Sequence, residues 1–212
     1  MALSLKKGEG VSLRKEENDL AQVTIGLGWD VAEVPQKKGM FGSLFAPKPQ
    51  EFDLDAVAFL LGANGKVANL GPQQDLIKSD VIFFNSQKHP SGHIWLTGDN
   101  RTGAGDGDDE QIIVKLNSLS EQYQRIIFVV SIYDGAKRNQ HFGLVKNAYI
   151  RAVDGKGKEL CRYNISGDSS YDNMGSLTFA EVVREGSAWK FKAIGTPHAA
   201  DTFVDVLKAY LP

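Results

Sequence analysis

Thirteen residues, Gly98 to Glu110 (GDNRTGAGDGDDE), hold five carboxylates, one arginine and four glycines. Carboxylates this dense repel one another, so a folded loop must raise their pKa values, spread them apart or hold a cation among them. The stretch offers only oxygen donors, with no His or Cys, and such a set suits Ca²⁺ first, Mg²⁺ or Mn²⁺ less well. Its glycines allow φ > 0, which can turn backbone carbonyls inward as further ligands. It is not an EF-hand loop: counted from Asp106, the sixth position is Gln111 instead of Gly, and the twelfth is Asn117 instead of Glu. A calcium site here is therefore irregular and draws ligands from elsewhere in the chain. The plainer reading is a solvated acidic turn between strands, against which the density of charge and glycine weighs.

Other chemistries find less support. His89 and His93 are four apart, but Pro90 and Gly92 between them forbid the helix that would align their rings. No Cys pair lies near His89, His93, His141 or His198, so a zinc site is not expected. Neither a G-x-S-x-G nucleophile turn nor a G-x-x-x-x-G-K-[ST] phosphate loop can be drawn. Gly103-Ala104-Gly105 resembles part of a dinucleotide loop, but the carboxylates that follow would repel phosphate unless a metal bridged them. Asn100-Arg101-Thr102 and Asn164-Ile165-Ser166 match the glycosylation pattern, which has no use in a cytosolic chain. Cys161 stands in a strand-like run between Leu160 and Arg162, where a buried, inert thiol is expected. Trp29, Trp95 and Trp189 are each expected in the core.

The 212 residues suffice for one large domain with a proper core. A net charge of −2 gives no basic field, so nucleic acid is not an expected partner. A single cysteine fits a reducing compartment. With no signal-like leader and no apolar run of roughly 18–20 residues, the expected location is cytoplasmic, without a membrane span.

The elements that must carry the acidic loop read mostly as short strands. Leu20–Trp29 alternates, with Val23, Ile25 and Leu27 on one face. Residues 34–50 (VPQKKGMFGSLFAPKPQ) break the pattern and read as an inserted loop. Phe52–Leu61 is a strand whose mouth places Asp53 and Asp55 on the same face. A short partner strand is expected around Val67, and two more over Asp80–Phe84 and His93–Thr97. The last runs straight into the acidic loop, and Gln111–Leu116 leaves it. A short helical turn over Ser118–Gln124 precedes Tyr123–Tyr133, the most apolar run and the expected central strand. Hairpins join Asn147–Val153 to Lys158–Ile165 and Ser176–Arg184 to Ala188–Ile194. In Asp201–Leu211, Phe203, Val206, Leu207 and Tyr210 recur at helical spacing. About ten short strands indicate an all-β, two-sheet sandwich ending in a short helix.

Read together, Gly26-Leu27-Gly28-Trp29-Asp30, Phe52-Asp53-Leu54-Asp55-Ala56, Phe84-Asn85, the whole Gly98–Glu110 loop, Ile132-Tyr133-Asp134 and Arg162-Tyr163-Asn164 resemble the TerD (tellurium-resistance) family of bacterial stress proteins. The acidic loop is the specific part. The resemblance implies a β-sandwich over residues 1–195, with calcium-binding loops at one end and two Ca²⁺ ions held in them. Residues 196–212 would form a helical appendage packed on that domain. The ligand candidates it carries over are Asp53, Asp55, Asn85, Asp99, Asn100, Asp106, Asp108, Asp109 and Glu110, with Thr102 and Gly103 offering carbonyls. Ala104 and Asn164 depart from the family pattern, in which acidic residues are common at those positions. The insertion at 34–50 and the final helix exceed the minimal family domain and suggest a longer subtype.

The function implied is that of a non-enzymatic sensor or adaptor in tellurite, chemical-stress, phage and colicin resistance. Its partners would be other tellurium-resistance proteins and a TerC-type membrane protein. Two other functions compete. Met40, Phe41, Leu44 and Phe45, beside Lys37, Lys38 and Lys48, would suit calcium-dependent binding to a membrane surface. Two close cations would suit a metal-dependent phosphate-ester enzyme, although no general base stands out.

Overall fold

A computed structural model describes residues 2–30, 52–97, 107–165 and 169–212. Its strands are β1 (Leu3–Leu5), β2 (Gly10–Leu13), β3 (Val23–Asp30), β4 (Leu54–Leu61), β5 (Val81–Ile82), β6 (Ile94–Thr97), β7 (Glu110–Val114), β8 (Arg125–Ile132), β9 (Lys146–Val153), β10 (Glu159–Asn164), β11 (Ser176–Glu185) and β12 (Ala188–His198). The helices are α1 (Gly135–Arg138) and α2 (Phe203–Leu207). Two six-stranded sheets result, in the orders β1-β10-β9-β3-β7-β6 and β2-β12-β11-β8-β4-β5. Neighbouring strands run antiparallel except β1 beside β10. Among the described residues the fold is mostly β, as the alternating runs and frequent turns predict.

β4 and β8 are apolar on both faces because both faces are covered. Leu54, Ala56, Ala58 and Leu60 of β4 join Ile126, Phe128, Val130 and Ile132 of β8 in the core between the sheets. The intervening Val57, Phe59, Leu61, Ile127 and Val129 face outward, under α2 and the chain around it. A strand with solvent on one side would alternate; these two read as continuous hydrophobic runs. Phe203 anchors the outer layer, its ring 5.1 Å from Phe83 and 6.5 Å from Phe59. The C-terminal segment is thus a third layer on the second sheet.

Several local expectations are corrected. No strand forms at Val67; its N–H donates to Tyr210 O (2.9 Å), so the segment pairs with the C-terminal turn. The helical turn falls at Leu116–Ser118, ahead of 118–124. β12 continues to His198, and α2 is five residues long, followed by a 3-10 turn at Lys208–Tyr210. The short α1 had no sequence signal because it is one turn, too short to show a period. Trp29 and Trp189 are buried, whereas Trp95 is half-buried on the outer face of its sheet, with Lys115 Nζ 5.6 Å above the ring. The insertion at 34–50 and Ala104 lie outside the described residues.

The end of β3, the start of β4, the end of β6, the start of β7, the end of β8 and the start of β9 gather at one end of the sandwich. Pairings of Leu27 with Glu110, Asp30 with Lys146, Leu54 with Ile132 and Thr97 with Gln111 fix this arrangement.

Candidate functional site

Two acidic stretches far apart in sequence meet at that end. β5 is two residues long and pairs only with Ala58 and Phe59, so it leaves the β4 edge open at Ala56. Glu110 points inward from β7, and its Oε2 accepts the Ala56 N–H at 2.6 Å, within a side chain that is 2% exposed. The β4 backbone just past Asp53 and Asp55 therefore touches the outgoing limb of the acidic loop through Glu110.

Asp109 closes the end of β3. Its N–H donates to Leu27 O (2.8 Å), and its Oδ2 accepts the Trp29 N–H (2.9 Å). Burial first, then the charges of Asp108 and Asp30, hold its carboxyl above the ordinary Asp range, against the lowering effect of the Trp29 N–H. A raised carboxyl loses native-state stability as pH climbs through its folded pKa, and a neighbouring cation would reverse that cost. Trp29 itself is fixed by donation from Nε1 to Phe52 O at 3.1 Å.

Asp108 takes a different direction. Both of its oxygens face Arg151, at 2.8 Å from Nε and 3.1 Å from Nη2, with Tyr149 Oη (3.1 Å) and Gln111 Nε2 (3.3 Å) completing the cradle. Tyr149 Oη also donates to Gly107 O at 2.6 Å. Arg151 is held in turn by Glu159 (2.8 Å), and Glu159 by Arg162, whose guanidinium lies 4.0 Å from the Tyr149 ring centre. Two glycines of β3 supply the floor: a Cβ at Gly26 would overlap the Asp108 carboxylate, and one at Gly28 would overlap the Tyr149 ring. Asp30 accepts from Asn147 Nδ2 beside them.

Of the other candidates, Asp53 accepts the Tyr133 N–H through its backbone O (2.8 Å). Asp55 is largely buried, on the outward face of β4, where it lines a cleft of about 400 Å³ with Phe84, Ser131, Tyr133, Thr202 and Phe203. Asn85 is exposed in the turn between Phe83 and Ser86, next to that cleft. Asp99, Asn100, Thr102, Gly103 and Asp106 lie outside the described residues. Among the described residues no three acidic, His or Cys side chains converge tightly enough to hold a metal by themselves. A complete shell would need donors from the 98–106 segment. The donor chemistry still fits a hard cation: every acidic group gathered here offers oxygen, and Asp109 is under strain from like charge.

Sequence reasoning missed Arg151, Tyr149 and Gln111 as partners of the loop. Their signal was weak, since the contacts span up to 43 residues; the polar face of β9, with Tyr149 and Arg151 two apart, was the available hint. His89, in contrast, is structural. It is buried with Asp80 (Nε2 to Oδ1, 3.1 Å) and Tyr123, whose Oη donates to the same Asp80 oxygen at 2.7 Å. Its Nδ1 faces Ser91 Oγ and the Ser91 N–H, which closes the β5–β6 turn.

The TerD domain profile matches residues 1–210. The chain belongs to the TerD family. The match takes in α2 as well as the sandwich. The chain is 54% identical to tellurium resistance protein TerX of Serratia marcescens over the full length of both. It is 42% identical to TerD of an Alcaligenes species, over 94% of this chain and 92% of that one, and 37% identical to stress response protein SCP2 of Bacillus subtilis over the full length of both. The crystal structure of a TerD homologue from Streptomyces coelicolor shares the fold, with a TM-score of 0.62 at 23% identity over 91% of this chain and 99% of that one. Within this TerD-family chain, Gly-Leu-Gly-Trp-Asp gains a physical meaning: two missing Cβ atoms seat the loop, and the Trp29 backbone holds Asp109. No helix among the described residues is long and apolar enough to cross a membrane.

Proposed function

We propose that this TerD-family chain is a non-enzymatic, calcium-binding protein of tellurite and chemical-stress resistance, acting in the cytoplasm as a sensor or adaptor. The observation that carries the reading is the hydrogen bond that Glu110 accepts from the Ala56 N–H, one residue past Asp55, beside Asp109, whose carboxyl burial and like charge raise. Asp53, Asp55, Asn85, Asp109 and Glu110 are the described residues from which the Ca²⁺ shells would draw, and the 98–106 segment would supply the remaining donors. The ion supplies charge neutralisation, which lets acidic strands and loop pack as one surface.

Asp55 precedes Ala56, whose N–H Glu110 accepts, and its side chain lines the cleft beside Tyr133 and Phe203. That residue gives cation occupancy a route to a surface that other tellurium-resistance proteins could read. A tellurite-sensitive bacterial host expressing the chain tests the function. The account expects increased survival under tellurite, lost in Asp109→Asn/Glu110→Gln at equal protein level. Equal protection by parent and variant would remove the acidic site from the function.

A further inference from the structure

We propose that Asp108 anchors the outgoing limb of the acidic loop instead of ligating its cation, and that Arg151 and Tyr149 are the positioning residues that fix it. The proposal rests on the calcium reading for its affinity arm only. Three successive carboxylates, Asp108, Asp109 and Glu110, leave the loop in different directions. Glu110 turns between the sheets to Ala56 N–H, and Asp109 turns to Trp29 N–H. Asp108 turns onto the outer face of the first sheet, where its side chain is only 1% exposed.

There its charge is already answered. A two-pronged guanidinium contact is among the strongest pairings open to a carboxylate, and it fixes direction as well as distance. Arg151 cannot easily let go, because Glu159 holds its far nitrogen at 2.8 Å and Arg162 holds Glu159. The seat exists only because Gly26 has no Cβ. A dication sharing Asp108 would have to sit against Arg151 and displace a buried hydrogen-bond set. The arrangement instead preorganises Asp109 and Glu110 before any ion arrives, which reduces the ordering cost of binding.

Metal-free parent, Asp108→Asn, Arg151→Met and the charge-balanced double variant test this by calcium calorimetry and amide hydrogen exchange, with β8 amides as the folding control. The milder Tyr149→Phe serves if Arg151→Met does not fold. In Asp108→Asn the number of bound ions should equal the parent's, and affinity should fall by no more than about tenfold, as expected for one screened charge near a divalent ion. Exchange at the Trp29 and Asp109 amides of metal-free protein should rise at least about tenfold in both single variants, since local opening sets that rate. Loss of one ion per chain, a larger fall in affinity, or unchanged exchange at both amides overturns the proposal. A parent that binds no calcium defeats the site reading, and the exchange measurement then decides the anchor alone.

Discussion

Gly28→Ala inserts one methyl group between β3 and the ring of Tyr149. Nothing in the backbone conformation forbids alanine, because Gly28 is not among the residues with positive φ. In an ordinary strand this change would stabilise by roughly 0.5–1 kcal/mol, through reduced freedom of the unfolded chain. Here the added Cβ overlaps the ring, which Arg162 also packs against, 4.0 Å from its centre. Tipping the ring breaks the hydroxyl bonds to Gly107 O (2.6 Å) and Asp108 (3.1 Å). At about 1 kcal/mol for the one hydroxyl proton that these two acceptors share, and a similar amount for the cation–π contact, the loss outweighs the gain. The net expectation is a destabilisation of about 1–2 kcal/mol, or roughly 2–8 °C in melting temperature for a chain of this size. Urea and thermal unfolding of metal-free protein measure it directly, with an unchanged urea m-value as the check on two-state behaviour. The same substitution in a Tyr149→Ala background should be neutral or stabilising, because the space is then empty. A Gly28→Ala protein as stable as its parent, with Tyr149 in place, would refute the reasoning.

Further perturbations reach other parts of the molecule. Phe203→Ala should cost about 3–4 kcal/mol in urea unfolding, because a five-residue helix is held by packing and not by its own propensity; a loss under about 1 kcal/mol would contradict the three-layer description. Burial and then Asp108 push the Tyr149 phenol up to about 12. The folded state therefore keeps a proton that the unfolded chain sheds near pH 10, so stability holds below that pH and falls as pH rises towards 12. Tyr149→Phe should flatten that part of the curve, and an identical slope in both proteins would exclude the contribution. Burial likewise pushes the Cys161 thiol up to about 12. It should resist a thiol reagent at neutral pH until the chain unfolds, and rapid labelling of native protein would contradict its placement in the core.

Much of the architecture was legible because its strands announce themselves locally. The hairpin of β9 and β10 crosses Asp154-Gly155-Lys156-Gly157, and the most apolar run, β8, is an interior strand of its sheet, between β11 and β4. What escaped was set by tertiary context. β5 shrank to two residues because Glu110, and not another strand, takes the Ala56 N–H. Val67 lost its strand to a hydrogen bond with Tyr210, a partner far along the chain. The acidic composition of the loop was plain from sequence, and the contact of Glu110 with β4 lies one residue past the Asp53 and Asp55 that the family resemblance named. The division of labour among Asp108, Asp109 and Glu110 was not. Three adjacent carboxylates look equivalent until Arg151, Trp29 and Ala56 are placed around them.

Calcium binding at the acidic end, and the stability it confers, is measured by calorimetric titration of metal-stripped chain with Ca²⁺, with Mg²⁺ as control and melting in each state. Close to two Ca²⁺ ions should bind per chain with little response to Mg²⁺, and a hundredfold excess over Kd should add about 2.7 kcal/mol of stability. In Asp109→Asn/Glu110→Gln that stabilisation should disappear. No calcium heat and no change in melting temperature in the parent chain would contradict the account.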